Sequence, residues 1–180
     1  YISTPNIDQL ARESVRFSDF TVTPVCSTTR AALLSGRDPY KTGVSGVHGG
    51  RDFMARDEVL MSDILLNAGY KTGTWGKWHI GKTNGYFPWD RGFDEGYYAE
   101  LYQHQNSFGW LNGQKVTHQK WASEVVTDYA IDFIERNQTT PFFAYLSYLA
   151  PHEPWVAPKK FSVPLIKQGL RPAIANLYGM

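Results

Sequence analysis

The sequence predicts an α/β fold in which a central, largely parallel or mixed sheet is flanked by helices. Segments with the apolar period of amphipathic helices alternate along the chain with short apolar segments typical of strands. Residues 142–149 are almost continuously apolar, which is typical of a strand covered on both faces. Polar loops with Gly or Pro follow the predicted strands, and working sites of open α/β sheets lie in such loops.

Elements of the first third are predicted from capping residues and apolar spacing. Thr4, followed by proline, predicts the start of a helix over residues 5–14. Alternating apolar residues predict a bulged strand over residues 15–22. A helix is predicted after Cys26, and Gly36 can end it in the left-handed conformation.

The middle third predicts one helix and one strand between loops. The Gly-rich residues 40–56 predict a loop, and residues 56–70 predict a helix that ends at Gly69. The side chains expected to point inward from this helix are Val59, Leu60, Ile64 and Leu65. A short strand then begins at Tyr70 and runs into a Gly-rich loop, and the aromatic residues 87–98 predict a further loop.

The last third predicts an amphipathic helix over residues 121–137 before the strand at 142–149. The buried side of the helix is expected to carry Val125, Ala130 and Phe133 or Ile134. A loop punctuated by prolines follows the strand. The chain opens on Tyr1 rather than Met and stops inside a predicted helix, so we interpret residues 1–180 as a partial domain cut at both ends.

Composition limits the function classes. The 180 residues suit one domain or part of one, and a hydrophobic content of 42% is enough for a sizeable core. A formal net charge of +1 argues against broad attraction to nucleic acid or to a membrane surface. No apolar run approaches the roughly 18 residues that a transmembrane helix needs. The single cysteine excludes an internal disulfide and a multi-cysteine metal site.

Cys26 lies just before a predicted helix, where backbone N–H groups and the helix dipole attract anions. Arg30 follows one turn later on the same face, and its guanidinium can hold an oxyanion in fork geometry. The pair suggests an anionic reacting group such as sulfate or phosphate. The alternative is a small buried cysteine near a helix cap with a surface arginine.

Two further loops carry candidate site residues. Lys77 and His79 are two residues apart, so they point the same way from an extended segment. Lysine supplies a compact positive charge, and histidine can donate or accept a proton. His152 lies between two prolines that restrict its loop. Each of Lys77, His79 and His152 could be structural by itself. All three lie in loops that follow predicted strands, and this favours one shared pocket.

Four regions of the chain resemble, in the right order, the type I sulfatases of the alkaline-phosphatase-like superfamily. The first is residues 4–44, which contain Cys-Ser-Thr-Thr-Arg, and the second is residues 69–81, which read Gly-Tyr-x-Thr-x-x-x-Gly-Lys-x-His-x-Gly. The others are Arg-Gly-Phe-Asp-Glu-Gly-Tyr-Tyr at residues 91–98 and the segment 141–155. The resemblance implies the first part of a sulfatase catalytic domain.

The resemblance also implies a role for each candidate residue. Cys26 matches the cysteine that is oxidised after synthesis to formylglycine, whose hydrated form attacks sulfur. Arg30 matches the arginine that holds the formylglycine, and Lys77 matches the lysine that neutralises sulfate oxygens. His79 matches the histidine that contacts the formylglycine hydroxyl and helps its deprotonation. His152 matches the histidine that binds near the ester oxygen and can protonate the leaving group.

This chain departs from the family pattern at one residue, and the family's metal ligands are not found in it. Thr28 stands where the maturation motif usually has proline, so conversion of Cys26 is a separate question. The resemblance implies calcium, bound by the formylglycine at position 26 and by two pairs of residues expected before Tyr1 and beyond the last residue. Oxygen ligands suit calcium, but neither Asp8 nor Asp19 is in a matching place.

The resemblance implies hydrolysis of sulfate monoesters, and two alternatives stay open. One is a phosphonate or phosphodiester hydrolase of the same superfamily, and the other is a catalytically silent chain that only binds. The implied partners are a sulfated small molecule or carbohydrate and a formylglycine-generating maturation enzyme. Localisation is left open; export to a periplasmic, secreted or lysosomal compartment is compatible with the family. Trp78 and Trp155 could stack on a sugar or pack structurally, and some apolar surface is expected to be exposed.

Overall fold

The computed structural model describes residues 2–180 and divides into two compact units. One unit is Pro24–Pro154, and the other combines the residues up to Thr23 with Trp155–Met180. In the described residues the helices are α1 (Pro5–Glu13), α2 (Cys26–Ser35), α3 (Met61–Asn67), α4 (Ala122–Arg136), α5 (Lys159–Lys167) and α6 (Pro172–Gly179). The strands are β1 (Lys71–Gly76), β2 (Glu95–Ala99), β3 (Phe108–Leu111), β4 (Gln114–Thr117) and β5 (Phe142–Ser147).

The larger unit is built on a mixed sheet with the strand order β4-β3-β2-β1-β5. Strand β1 is central and runs parallel to both β2 and β5. The hairpin β3–β4 adds antiparallel strands beyond β2. Helices α3 and α4 pack against β1. The predicted α/β class with a mixed, helix-flanked sheet is therefore confirmed.

Two apolar clusters hold the larger unit together. One places Trp75 of β1 against Val126 and Phe133 of α4, with the Trp75 and Phe133 rings 4.9 Å apart. The other joins Leu34 of α2 to Trp78, which follows β1. The stretch from Thr72 to Ile80 is buried throughout, so the segment that leaves β1 is fixed by core packing.

Gly76 allows β1 and β5 to approach closely at the end of β1. Its φ of 112° lies in the region that favours glycine, and a Cβ here would overlap the carbonyl group of Ser147. The next residue, Lys77, donates its backbone N–H to that same carbonyl oxygen at 2.7 Å. Any larger residue at position 76 would push apart the two strands from which the candidate site residues emerge.

Several predicted elements are wrong or incomplete. The strand predicted at residues 15–22 is absent, and its apolar side chains are exposed because no described strand pairs with this segment. The helix predicted at 56–70 is only α3, and Val59 and Ile64 are each 60% exposed. Leu60 is fully buried as predicted.

Other differences concern the second half. Part of the loop predicted at residues 87–98 is strand β2, whose two aromatic residues face core neighbours. The strand at 142–149 exists as β5, but Phe142 and Leu146 are each 37% exposed, so it is not covered on both faces. The hairpin β3–β4 and helix α5 were not predicted.

Helices α1, α2, α4 and α6 follow the predicted segments closely. Val125, Ala130 and Phe133 are buried on α4, whereas Ile134 is 38% exposed. No helix of residues 2–180 combines the length and apolar character needed to cross a membrane.

Candidate active site

The candidate site lies where the parallel strands β1, β2 and β5 end. Lys77 directly follows β1, Ser147 is the last residue of β5, and Glu100 directly follows β2. Because parallel strands present their carboxyl ends at one edge of a sheet, these residues share that edge. Two of the three strand-following loops predicted to form the pocket are thus found after β1 and β5. The third, before Cys26, does not follow a strand.

Arg30 connects helix α2 to this edge of the sheet. Its guanidinium donates hydrogen bonds to the carbonyl oxygen of Lys77 at 2.6 Å, to the hydroxyl group of Tyr145 at 3.4 Å and to the hydroxyl group of Ser147. Burial lowers the pKa of Arg30, and the nearby Tyr145 and Cys26 act in the opposite direction. Arg30 therefore fixes the first turn of α2 over the ends of β1 and β5.

His79 contacts the thiol of Cys26. The Cys26 Sγ atom lies 3.3 Å from Nδ1 of His79, and Nε2 of the same ring lies 3.0 Å from the carbonyl oxygen of Val47. A carbonyl oxygen only accepts, so Nε2 carries the proton and the Nδ1 lone pair faces the sulfur. Burial lowers the pKa of His79 to about 4, so the ring is neutral at physiological pH. The backbone of His79 has a φ of 64°, in the left-handed region that few residues other than glycine adopt.

Lys77 adds a second cation beside Cys26. The residue is only 4% exposed, and burial lowers the pKa of its ammonium group while a hydrogen bond with Cys26 raises it. The nearby positive charge of Arg30 also lowers the Lys77 pKa, and the Arg30 guanidinium donates to the backbone carbonyl oxygen of Lys77. Position 26 thus has two cations and a neutral histidine around it, at the start of a helix. This arrangement suits a tetrahedral oxyanion.

His152 is in the loop after β5 and does not hydrogen-bond to the other four candidates within residues 2–180. Its Nδ1 donates to the carbonyl oxygen of Glu153 at 2.9 Å, which leaves Nε2 to face other groups. Its ring lies 5.1 Å from the ring of Tyr102, which follows β2. The structure therefore brings Cys26, Arg30, Lys77 and His79 together. It places His152 in the loop after β5, beside a residue that follows β2.

The sequence interpretation missed several polar residues of this edge. Tyr145 and Ser147 support Arg30, and both alternate with apolar residues in β5, a signal that was available. Glu100 and Tyr102 were missed because β2 was interpreted as loop. Trp78 is 2% exposed and donates to the carbonyl oxygen of Tyr86, so it packs structurally.

The family resemblance implies two groups, a formylglycine at position 26 and a calcium ion, and the described residues fit the first better than the second. The thiol of Cys26 is half-buried, next to two cations and a neutral imidazole. These neighbours fit the hydrate of formylglycine, because they can stabilise the negative charge that forms when a hydroxyl group loses its proton. Calcium fits less well, because no group of three or more His, Cys, Asp or Glu within residues 2–180 could hold a metal ion. Asp8 accepts a hydrogen bond from Thr4 at an exposed helix start instead.

Comparison with known proteins agrees with this geometry. The sequence model of the Sulfatase family matches residues 1–165. The ulvan-active sulfatase of Formosa agariphila is 32% identical over 172 residues, which cover 89% of this chain and 33% of that protein. The crystal structure of Ps i-CgsB in complex with k-i-k-neocarrahexaose superposes with a TM-score of 0.84 at 30% identity, covering 97% of this chain and 46% of the other.

A further solved structure, BT4656 in complex with its substrate D-glucosamine-2-N,6-O-disulfate, has a TM-score of 0.79 at 25% identity. It covers 94% of this chain and 34% of that chain. The curated relatives named first are matched over 35%, 33% and 31% of their length, so this chain spans about a third of each. The predicted alkaline-phosphatase-like fold is confirmed by the superpositions.

Proposed function

The chain belongs to the sulfatase family, and we propose that it carries the nucleophile of an active site that hydrolyses sulfate monoesters. The observation that supports this most directly is the cluster around position 26. Arg30, Lys77 and His79 come from two separate segments and meet at the only cysteine of the chain. The cations match the negative charge of a sulfate group, and the neutral imidazole matches a group that must lose a proton.

We propose that Cys26 is matured to formylglycine, whose hydrate supplies the hydroxyl group that attacks sulfur. Nδ1 of His79 faces this position with a lone pair, so it accepts a proton from a hydroxyl group there. Lys77 lies against the same position and neutralises sulfate oxygens. Arg30 holds the first turn of α2 in place, and its charge adds to the field at the anion.

His152 is proposed as the acid that protonates the leaving ester oxygen. Its Nδ1 proton is engaged by the Glu153 carbonyl oxygen, so only Nε2 is available for a substrate. The loop that carries it emerges from β5, next to the strand end from which Lys77 emerges. A protonated Nε2 would stabilise the alcohol oxygen as the sulfur–oxygen bond breaks.

Calcium is proposed as a component of the complete protein only. The described residues do not form a calcium site by themselves, so no step of the reaction is assigned to the ion here. We propose that most of its ligands come from residues outside this chain and that the formylglycine at position 26 is the one ligand from within it. Oxygen ligands of that kind are the type that calcium takes.

The substrate is proposed to be a sulfated carbohydrate, with a formylglycine-generating enzyme as the maturation partner. Support comes from the sulfated sugar bound to the similar BT4656 and from the action of the similar Formosa agariphila enzyme on ulvan. The proposal concerns the complete protein, since the chain spans only part of its relatives.

The test compares the complete protein with its Cys26→Ala variant on a sulfate ester and on a phosphonate ester of the same aryl alcohol. We expect sulfate release to fall by about four orders of magnitude or more in the variant, because the nucleophile is gone. The matched control is Leu33→Ala, an exposed residue of the same helix, which should retain activity. Near-normal sulfate release by Cys26→Ala would refute the nucleophile, and a preference for the phosphonate ester would favour the alternative hydrolase.

A further inference from the structure

A cavity of about 360 Å³ opens beside His79 within the Pro24–Pro154 unit. Its wall is formed by the loop before α3, the segment after β1, the carboxyl end of β2 and strand β3. The polar and aromatic residues on this wall include His48, Asp52, Lys82, Tyr98, Glu100 and Trp110. Because His79 lines this cavity and also contacts Cys26, the cavity adjoins the proposed nucleophile position.

Asp52 is a buried acidic side chain without a protein partner. The residue is 5% exposed and lines the cavity. Within residues 2–180 its carboxyl group takes part in no hydrogen bond and no salt bridge. Its carboxyl oxygens are not fully enclosed by protein atoms, so they are open to the cavity. A carboxylate held on the wall of a cavity beside a reactive group, with no protein donor, is available to accept hydrogen bonds from a ligand.

Aromatic rings form another part of the wall. The ring centroids of Tyr98 and Trp110 are 5.6 Å apart. Burial raises the pKa of Tyr98 to about 12, and the nearby charges of Glu100 and Asp52 add to this effect. The phenol therefore keeps its proton at neutral pH and can donate it to a ligand. Aromatic faces beside hydrogen-bonding groups suit a sugar ring, which has apolar C–H faces and polar hydroxyl edges.

The charges of the cavity are unfavourable for a second anion. Asp52 and Glu100 both line it, and the lysine on its wall, Lys82, is exposed to solvent. The buried Lys77 and the half-buried Arg30 lie instead at position 26, where the sulfate ester is expected. A further sulfate or carboxylate group inside the cavity would face like charges, which disfavours its binding.

We propose that this cavity binds the sugar ring that carries the sulfate ester, and that Asp52 accepts hydrogen bonds from its uncharged donors while excluding a second anionic substituent. This inference rests on the proposed sulfatase function and adds a selectivity to it. The preferred substrate class is a sugar with one sulfate group whose other substituents in the cavity are hydroxyl or amide groups. Asp52 is then a specificity-determining residue, since the sulfur atom reacts at position 26.

The experiment measures kcat/KM of the complete, matured protein on N-acetylglucosamine 6-sulfate and on glucosamine-2-N,6-O-disulfate. These sugars share the sulfate at position 6 and differ in the charge at position 2. We expect the wild type to prefer the first sugar, and Asp52→Asn to shift the ratio of the two values toward the disulfate by about tenfold or more. Glu100→Gln provides a second variant, with a shift in the same direction.

The control variant is Asp57→Asn, which removes an exposed carboxylate outside the cavity and should leave the ratio unchanged. Hydrolysis of 4-nitrophenyl sulfate by the wild type separates the two proposals. No hydrolysis of that ester or of either sugar would overturn the proposed function itself. Hydrolysis of that ester, combined with an unchanged ratio in both Asp52→Asn and Glu100→Gln, or with no turnover of either sugar, would overturn the cavity assignment alone.

Discussion

The burial of His79 in its neutral form makes the folding stability of the protein depend on pH. Burial is the main reason why its pKa falls to about 4, from an ordinary value of 6.5. Between these two values the unfolded chain binds a proton that the folded chain does not bind. The stability contributed by the neutral ring is therefore complete above pH 6.5 and is lost as the pH falls toward 4.

We predict that acidification destabilises the wild type more than a His79→Gln variant, which has no proton to gain at this position. From pH 7 to pH 4 the extra loss in the free energy of unfolding should be about 2–3 kcal/mol. Urea unfolding of both proteins at the two pH values measures it, and all other titratable groups are common to both. Equal losses in the two proteins would contradict a buried, neutral His79.

Thr28 occupies the position in the first turn of α2 where the maturation motif of the family usually has proline. It is the third residue of the helix, is 3% exposed, and its hydroxyl group donates to the carbonyl oxygen of Val25 at 3.0 Å. Proline is tolerated in a first helical turn, because its ring would meet a carbonyl four residues earlier that lies outside the helix. The backbone at this position therefore accepts the residue that the family motif usually contains.

We predict that Thr28→Pro folds with a loss of about 1 kcal/mol or less, mainly from the missing hydroxyl bond. It should also raise the fraction of Cys26 converted in the native host. Mass spectrometry of the Cys26 peptide measures conversion, which lowers its mass by about 18 Da when CH2SH becomes CHO. The control is Thr29→Pro, which removes the backbone bond from Thr29 N–H to Val25 at 3.2 Å and should destabilise the fold more. Unchanged conversion in Thr28→Pro would show that Thr28 does not limit maturation.

The end of β1 depends on the close approach that Gly76 allows. We predict that Gly76→Ala destabilises the protein by about 3 kcal/mol or more, from an unfavourable φ and from overlap with the Ser147 carbonyl group. Gly69→Ala is the control, since Gly69 has a similar φ of 86° but open space around it, and should lose only about 1–2 kcal/mol. Denaturant unfolding compares them. Equal losses of stability in the two variants would contradict a close approach of β1 and β5 at position 76.

The helices were easier to predict than the strands, for a physical reason. Proline at the first position of α1 and the apolar period of α4 act within a few residues, so the sequence alone indicates both helices. Thr4 precedes α1 as predicted, but its hydroxyl group donates to Asp8 and does not cap the backbone. Strand β2 and the residues at 15–22 depend on partners far along the chain. Residues 95–99 find such partners and form a strand, whereas residues 15–22 find none among the described residues. Alternation alone does not distinguish these two outcomes.

The candidate site shows the same difference between residues that local patterns indicate and residues that depend on distant contacts. Residues in recognisable motifs, such as Lys77 and His79, were predicted from spacing and from the family resemblance. Asp52 was not, because its importance comes from being buried on a cavity wall without a partner, and no local pattern encodes that. Ser147 was likewise missed, since its contact with Arg30 joins residues 117 positions apart.

The molecule as a whole places its reactive groups on a rigid framework. The cations and His79 emerge from α2 and from the segment after β1, both of which pack into the same apolar cluster. Groups held by core packing lose little orientation freedom when a substrate binds, which is what electrostatic stabilisation of a transition state requires. His152 and Tyr102 are more exposed loop residues, so they are the part of the site that can adjust to the leaving group.

A different surface governs how the 180-residue chain behaves in solution. Four apolar side chains of the segment between α1 and α2 are largely exposed: Val15 at 86%, Phe17 at 78%, Phe20 at 72% and Val22 at 65%. The rings of Phe17 and Phe20 lie 6.4 Å apart, so these two exposed rings are neighbours, and we refer to the four side chains as the exposed patch. Covering such side chains in a contact between copies removes apolar area from water, which favours association.

We therefore predict that the 180-residue chain self-associates in a concentration-dependent way through this patch. A variant with both Phe17→Ser and Phe20→Ser should sediment as a monomer at concentrations where the wild type does not, because most of the apolar area is removed. Ile131→Ser is the control, since Ile131 is 49% exposed on α4 in the Pro24–Pro154 unit, and this variant should associate like the wild type. Sedimentation velocity over a hundredfold concentration series measures the effect. If the double variant associates as strongly as the wild type, the exposed segment between α1 and α2 is not the surface that joins the copies.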